Sequence, residues 1–97
     1  MDNFSWLEDW YNSQCDGDWE HTYGVKIESL DNPGWSVVID LNGTRYDEVQ
    51  SRDLLDERTD EINWIVCKIR DGEFQGYGGA AMLGKIVQVF RKWIEQY

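Results

Sequence analysis

Ile62-Asn63-Trp64-Ile65-Val66-Cys67-Lys68-Ile69-Arg70-Asp71-Gly72 is the stretch that decides the fold of this chain. Over residues 62–70 a period-two reading puts Ile62, Trp64 and Val66 on one side and Ile65, Cys67 and Ile69 on the other. A strand that is apolar on both faces belongs inside a sheet. Asp71-Gly72 then signals a tight hairpin, so residues 73–77 form the antiparallel neighbour. Gly76, Gly78 and Gly79 read as a loosening of the chain before its last element.

Upstream of this hairpin the same alternation recurs. Tyr23, Val25 and Ile27 alternate with Gly24, Lys26 and Glu28, as in a half-buried strand. Asp31-Asn32-Pro33-Gly34 is a turn, since proline presets φ and glycine accepts a positive one. Trp35, Val37, Ile39 and Leu41 share one face of a second strand, and Asn42-Gly43 is a two-residue hairpin signal. A third strand is expected over residues 44–49, and the polar residues 50–61 read as a loop with a helical turn. At the ends the period changes to that of a helix. Residues 5–14 carry a Ser5/Glu8 capping box and apolar positions at Phe4, Leu7 and Tyr11, with Trp6 and Trp10. From Ala81 onward Leu83, Ile86, Val87, Phe90, Trp93 and Ile94 trace one stripe, with Lys85, Arg91 and Lys92 away from it.

The expected architecture is therefore α+β and a single domain over residues 1–97. It has an N-terminal helix, an antiparallel sheet of about five strands arranged as a meander plus a hairpin, and a C-terminal amphipathic helix packed on the sheet. Six Trp, five Tyr and three Phe must supply much of the core. No apolar run reaches the roughly 20 residues a membrane span needs. The N-terminus has no basic start and apolar run of a signal peptide, and two cysteines are too few for a disulfide scaffold, so a cytoplasmic location with free thiols is expected.

Nineteen acidic against nine basic side chains give a formal net charge of −10. The sign is unevenly placed: residues 1–23 hold six acids and no Lys or Arg, and residues 47–61 hold seven acids and two bases. Such a field repels nucleic acid and anionic membranes and attracts a cationic partner. Keeping a small protein in solution is an equally simple account of the same charge.

Cys15-Asp16-Gly17-Asp18-Trp19-Glu20-His21 concentrates acids, an aromatic ring and the chain's single histidine. Three chemistries can be tested on it. A metal site from Cys15, His21 and Cys67 lacks the spacing of any strong zinc pattern. A small hydrolase could use Glu20 and His21, but no nucleophile motif accompanies them. A binding surface could pair Asp16 and Asp18 with cationic side chains, with Trp19 as a half-exposed anchor; the competing reading has Trp19 folding back to cap the core.

The segments Trp10-Tyr11-x-x-x-Cys15-Asp16-Gly17-Asp18-Trp19-Glu20-His21-x-Tyr23-Gly24-Val25-x-Ile27 and Leu30-Asp31-Asn32-Pro33-Gly34-Trp35 resemble the immunity protein 53 family of bacterial polymorphic-toxin systems. Trp64-Ile65-Val66-Cys67, Phe74-x-Gly76 and the closing helix with Phe90 and Trp93 fit as well, so the resemblance spans nearly the whole chain. It implies a cytoplasmic inhibitor that binds a cognate protein toxin, with no catalysis and no cofactor. On that reading the partner surface centres on Asp16, Asp18, Trp19, Glu20, His21, Asp31 and Asn32. Asp16 and Asp18 would steer the toxin, Trp19 would fill a pocket, and His21 would hydrogen-bond or tie the loop to the sheet. The acidic residues 47–61 are a second candidate surface. An acidic mimic of nucleic acid is the remaining alternative; it would bind several unrelated basic proteins, where an immunity protein discriminates.

Overall fold

The structure is a computed structural model that describes all residues from 1 to 97. In chain order the elements are α1 (Asn3–Gln14), α2 (Trp19–Thr22), β1 (Val25–Leu30), β2 (Gly34–Asp40), β3 (Arg52–Arg58), β4 (Trp64–Arg70), β5 (Glu73–Gly79) and α3 (Leu83–Gln96). The five strands form one antiparallel sheet in the order β1-β2-β5-β4-β3. This is the expected α+β arrangement, with α3 packed on the sheet and α1 against α3.

The strand inferred from residues 62–70 forms over Trp64–Arg70 and lies inside the sheet as expected: β4 has neighbours on both sides, β3 and β5. Its inner row is Ile65, Cys67 and Ile69, all buried. Register aligns that row with Gly78, Gly76 and Phe74 of β5 and then with Trp35, Val37 and Ile39 of β2. Helix α3 lies across it and buries Ile86, Val87, Phe90 and Trp93. Burial in the core pushes the Cys67 thiol up to about 12, so it remains an uncharged packing group.

Three expectations fail, each for a local reason. Residues 44–49 are turns, not a strand. The Thr44 hydroxyl donates to the Leu41 carbonyl (2.6 Å) and accepts from the Tyr46 N–H (3.1 Å), so it captures groups that a ladder would have used. Residues 52–58, read as loop, form β3 instead. As an edge strand it needs a partner on one side only, and Leu54 and Leu55 are its half-buried residues. The hairpin and the meander are thus exchanged: β1-β2 is the hairpin and β3-β4-β5 the meander.

The glycine run is not a loosening either. Gly76, Gly78 and Gly79 are buried strand residues, and a Cβ on Gly76 would run into Cγ2 of Ile86. The missing side chain is what lets α3 press onto the sheet. Helix α1 begins two residues earlier than expected and is capped by Asp2 in place of Ser5. Asp2 Oδ1 accepts from the Ser5 N–H at 2.8 Å and Oδ2 from the Ser5 hydroxyl at 3.0 Å.

Candidate functional site

The segment between α1 and β1 is built around two carboxylates and one indole. Asp16 Oδ1 accepts from the backbone N–H groups of Asp18 and Trp19, both at 3.0 Å. The Glu20 carboxylate reaches back and accepts from Asp16 N (3.0 Å) and Gly17 N (2.9 Å). These bonds favour the ionised forms. The N–H groups of Trp19 and then Asp18 lower the pKa of Asp16. That of Glu20 is lowered by its own backbone N–H first, then by those of Asp16 and Gly17, with a smaller contribution from the charge of His21. Two of the acids expected to reach a partner therefore also hold the loop.

Trp19 closes this loop onto the core. Its side chain is 4% exposed, with edge contacts to Trp10 at 6.2 Å and Tyr11 at 5.9 Å between ring centroids. The indole N–H donates to the Asn42 carbonyl at 2.9 Å. Of the two readings offered by the sequence, the ring folds back; it presents no half-exposed face for a foreign pocket. Asn42-Gly43, read as a hairpin signal, is the platform it rests on. Gly43 has φ +78°, and a Cβ there would lie 3.0 Å from Trp19 Cδ1. His21 is exposed and forms no side-chain hydrogen bond, so the link to the sheet comes from Trp19. Asp18 is exposed as well, and its carboxylate caps nothing.

The seven candidate residues fall into two groups. Asp16, Asp18, Trp19, Glu20 and His21 lie before β1, and Asp31 and Asn32 follow it. The six residues of β1 separate the two groups by roughly 20 Å, at about 3.3 Å per residue. Asn32 instead borders a cleft of about 700 Å³ with Asp60, Ile62, Trp64 and Ala80. Ile62, expected in β4, sits in the turn before it and is 70% exposed. Asp60 holds that turn by accepting from the N–H groups of Asn63 and Ile62, and from the Asn63 side chain, which lower its pKa.

The two acidic tracts differ in how they are neutralised. Three of the four ion pairs involve β3, Arg58–Asp56, Arg70–Asp53 and Lys85–Glu57; the fourth, Arg91–Glu95, lies within α3, where Arg91 also donates to Met1 O and Asn3 Oδ1 at the start of α1. None of the six acids from Asp2 to Glu20 has a cationic partner. Beside them runs a feature that the pattern of the sequence did not disclose. Leu7, Glu8 and Tyr11 of α1 face Gly24 and Val25 across a shallow groove of about 360 Å³. The groove needs α1 and β1 at a fixed separation, which no local pattern encodes. Its only sequence signal is the placing of Glu8 and Tyr11 on one helical face.

Glu20 is half-buried and His21 exposed, and neither lines the cleft or the groove. A general acid is tuned by a raised carboxyl pKa, whereas that of Glu20 is lowered.

No curated protein and no solved structure matches the chain. The model of one protein family, described as immunity protein 53, matches residues 4–95. That match takes in all five strands, α2 and all but the end residues of α1 and α3, and by it the chain belongs to the immunity protein 53 family.

Proposed function

We propose that this protein binds a cognate bacterial toxin and neutralises it by occupying a basic surface of that toxin, without catalysis. The family assignment over residues 4–95 carries the immunity reading. The charge distribution supports the acidic-surface mechanism, because residues 1–23 carry six acids, no Lys or Arg and no ion pair. Toxins that act on nucleic acid need a basic surface to hold phosphate, and an acidic inhibitor competes for that surface. Complementary charge raises association rates toward about 10⁸–10⁹ M⁻¹s⁻¹ at low salt, which suits an inhibitor that must capture its toxin before the toxin acts.

The proposed surface keeps Asp18 and His21 as exposed contact groups and adds Glu8 and Asp9 of α1, which are exposed and unpaired. Asp16, Glu20 and Trp19 shape it from beneath. Asp31 and Asn32 belong to a separate end of the molecule and would contact only a toxin large enough to span β1.

The test is co-expression and co-purification with the protein encoded by the adjacent gene. Expected are a stable complex and rescue of cells from that protein's toxicity. A well-folded protein that neither binds nor rescues would sink the proposal. Binding to several unrelated basic proteins with similar affinity would favour the nucleic-acid mimic instead.

A further inference from the structure

The sheet has two edges, and they are unequally defended. The outer edge of β3 carries charges at Arg52, Asp53, Asp56, Glu57 and Arg58, and its register shifts between Asp53 and Leu55. Bulges and edge charges of this kind prevent a foreign strand from adding on. Strand β1 has no bulge and fewer charges. Its pairing with β2 runs without interruption from Val25↔Ile39 to Leu30↔Gly34, and its two charges, Lys26 and Glu28, lie on the face turned away from the helices.

The free groups of β1 can be identified from the ladder. Gly24 O accepts from Asp40 N at 3.0 Å, so the carbonyl of Gly24 points at β2. Backbone direction alternates along an antiparallel strand. Lys26, Glu28 and Leu30 therefore also face β2, while the N–H and C=O groups of Val25, Ile27 and Ser29 point outward with no partner strand. The side chains of those same three residues lie on the helix side, where Val25 lines the groove with Leu7, Glu8 and Tyr11. Ile27 continues this apolar row and is 39% exposed, and Tyr11 is 37% exposed.

We propose that β1 is a docking edge, and that its occupant is an extended, basic segment of the toxin. The inference rests on the immunity reading and assigns it a binding mode. The segment adds as a sixth strand to Val25, Ile27 and Ser29, places an apolar side chain in the groove beside Tyr11, and directs Lys or Arg toward Glu8. Main-chain pairing gives affinity and the pocket for alternate side chains gives selectivity. Charge complementarity selects a basic segment: residues 1–25 contain no Lys or Arg, and none of their acids is ion-paired.

The experiment is amide hydrogen exchange on this chain, alone and with the protein encoded by the adjacent gene, combined with affinity measurements on Ile27→Pro and Ile27→Lys. Proline at this site removes an outward N–H and leaves the β1–β2 ladder intact; lysine adds a charge to the apolar row without touching the backbone. Expected is slowed exchange at Val25, Ile27 and Ser29 in the complex, none at Arg52–Arg58, and at least tenfold weaker binding by both variants at unchanged melting temperature. A complex with no protection at β1, and with wild-type affinity in both variants, overturns the docking edge and leaves the immunity reading standing. Failure of the wild-type chain to bind or to protect cells overturns both. Protection of the same amides in the isolated chain that grows with concentration assigns the edge to a second copy and overturns the toxin assignment.

Discussion

The α1–β1 side and the β3 side of this molecule are both acidic, yet they handle charge and backbone in opposite ways. On the β3 side Asp53, Asp56 and Glu57 each hold a basic side chain, and the strand edge is charged and bulged. Exposed pairs of this kind add little stability, about 0–1 kcal/mol each, but they offset part of the local field, and charges on an edge discourage strand addition. On the α1–β1 side the acids either accept backbone N–H bonds, as Asp16 and Glu20 do, or stand free, as Glu8 and Asp18 do. No ion pair offsets the six acids of residues 1–23, and the strand edge is regular. Counting acids in sequence windows ranks the two tracts alike; only their partners distinguish them.

The strongest way to break this contrast is to remove what holds the α1–β1 side in shape. Trp19→Ala deletes a buried ring that packs on Trp10 and Tyr11 and bonds Asn42. It should cost about 3–5 kcal/mol of stability, read by urea unfolding. Trp64→Ala, which removes a half-buried ring at the cleft, should cost clearly less. Gly43→Ala attacks the same platform from below. It forces an L side chain into positive φ against Trp19 and should cost about 1–3 kcal/mol. A Gly43→Ala protein as stable as wild type would mean that Trp19 does not rest where the structure has it.

The contrast is sharpened by charge reversal. Glu8→Lys with Asp18→Lys should slow toxin association by about tenfold at low salt, with the difference shrinking as salt rises, and should leave the melting temperature nearly unchanged. Asp53→Lys with Asp56→Lys should leave the association rate within about twofold. Equal effects of the two pairs, measured by stopped-flow, would erase the distinction between the tracts.

The smallest expected effect is on acid stability. The pKa values of Asp16 and Glu20 are lowered by the loop's N–H groups, so both bind protons less readily in the folded chain than in the unfolded one. Their contribution is present above the ordinary carboxylate range, around pH 4, and is lost as pH falls through the lower folded values. Asp16→Asn with Glu20→Gln should therefore be less stable than wild type at neutral pH and converge with it in acid. A constant difference at every pH would show that these carboxylates are not what the loop depends on.

Long periodic segments were legible because burial imposes its period on the sequence. The inner rows of β2 and β4 and the stripe of α3 are read directly from alternation and from 3.6-residue spacing. Edge strand β3 was not legible, since a strand with one neighbour and little burial has no need of alternation. The turns of 44–49 depend on one hydroxyl, and the tolerance of Gly76 in a strand on the approach of a helix far away in sequence. At the site, the sequence located the Asp16–His21 loop but not the direction of its side chains. An acid that binds its own backbone and one that faces water are the same letter.

Sequence alone determined the fold class, the surplus of negative charge and its concentration before residue 24, because composition and periodicity are local properties of the chain. Tertiary structure decided which acids are free, that Trp19 belongs to the core, that Asp31 and Asn32 lie a strand's length from the loop, and which edge of the sheet is left open. Those properties depend on which distant groups meet, and strand order, unlike strand pattern, is set by long-range packing.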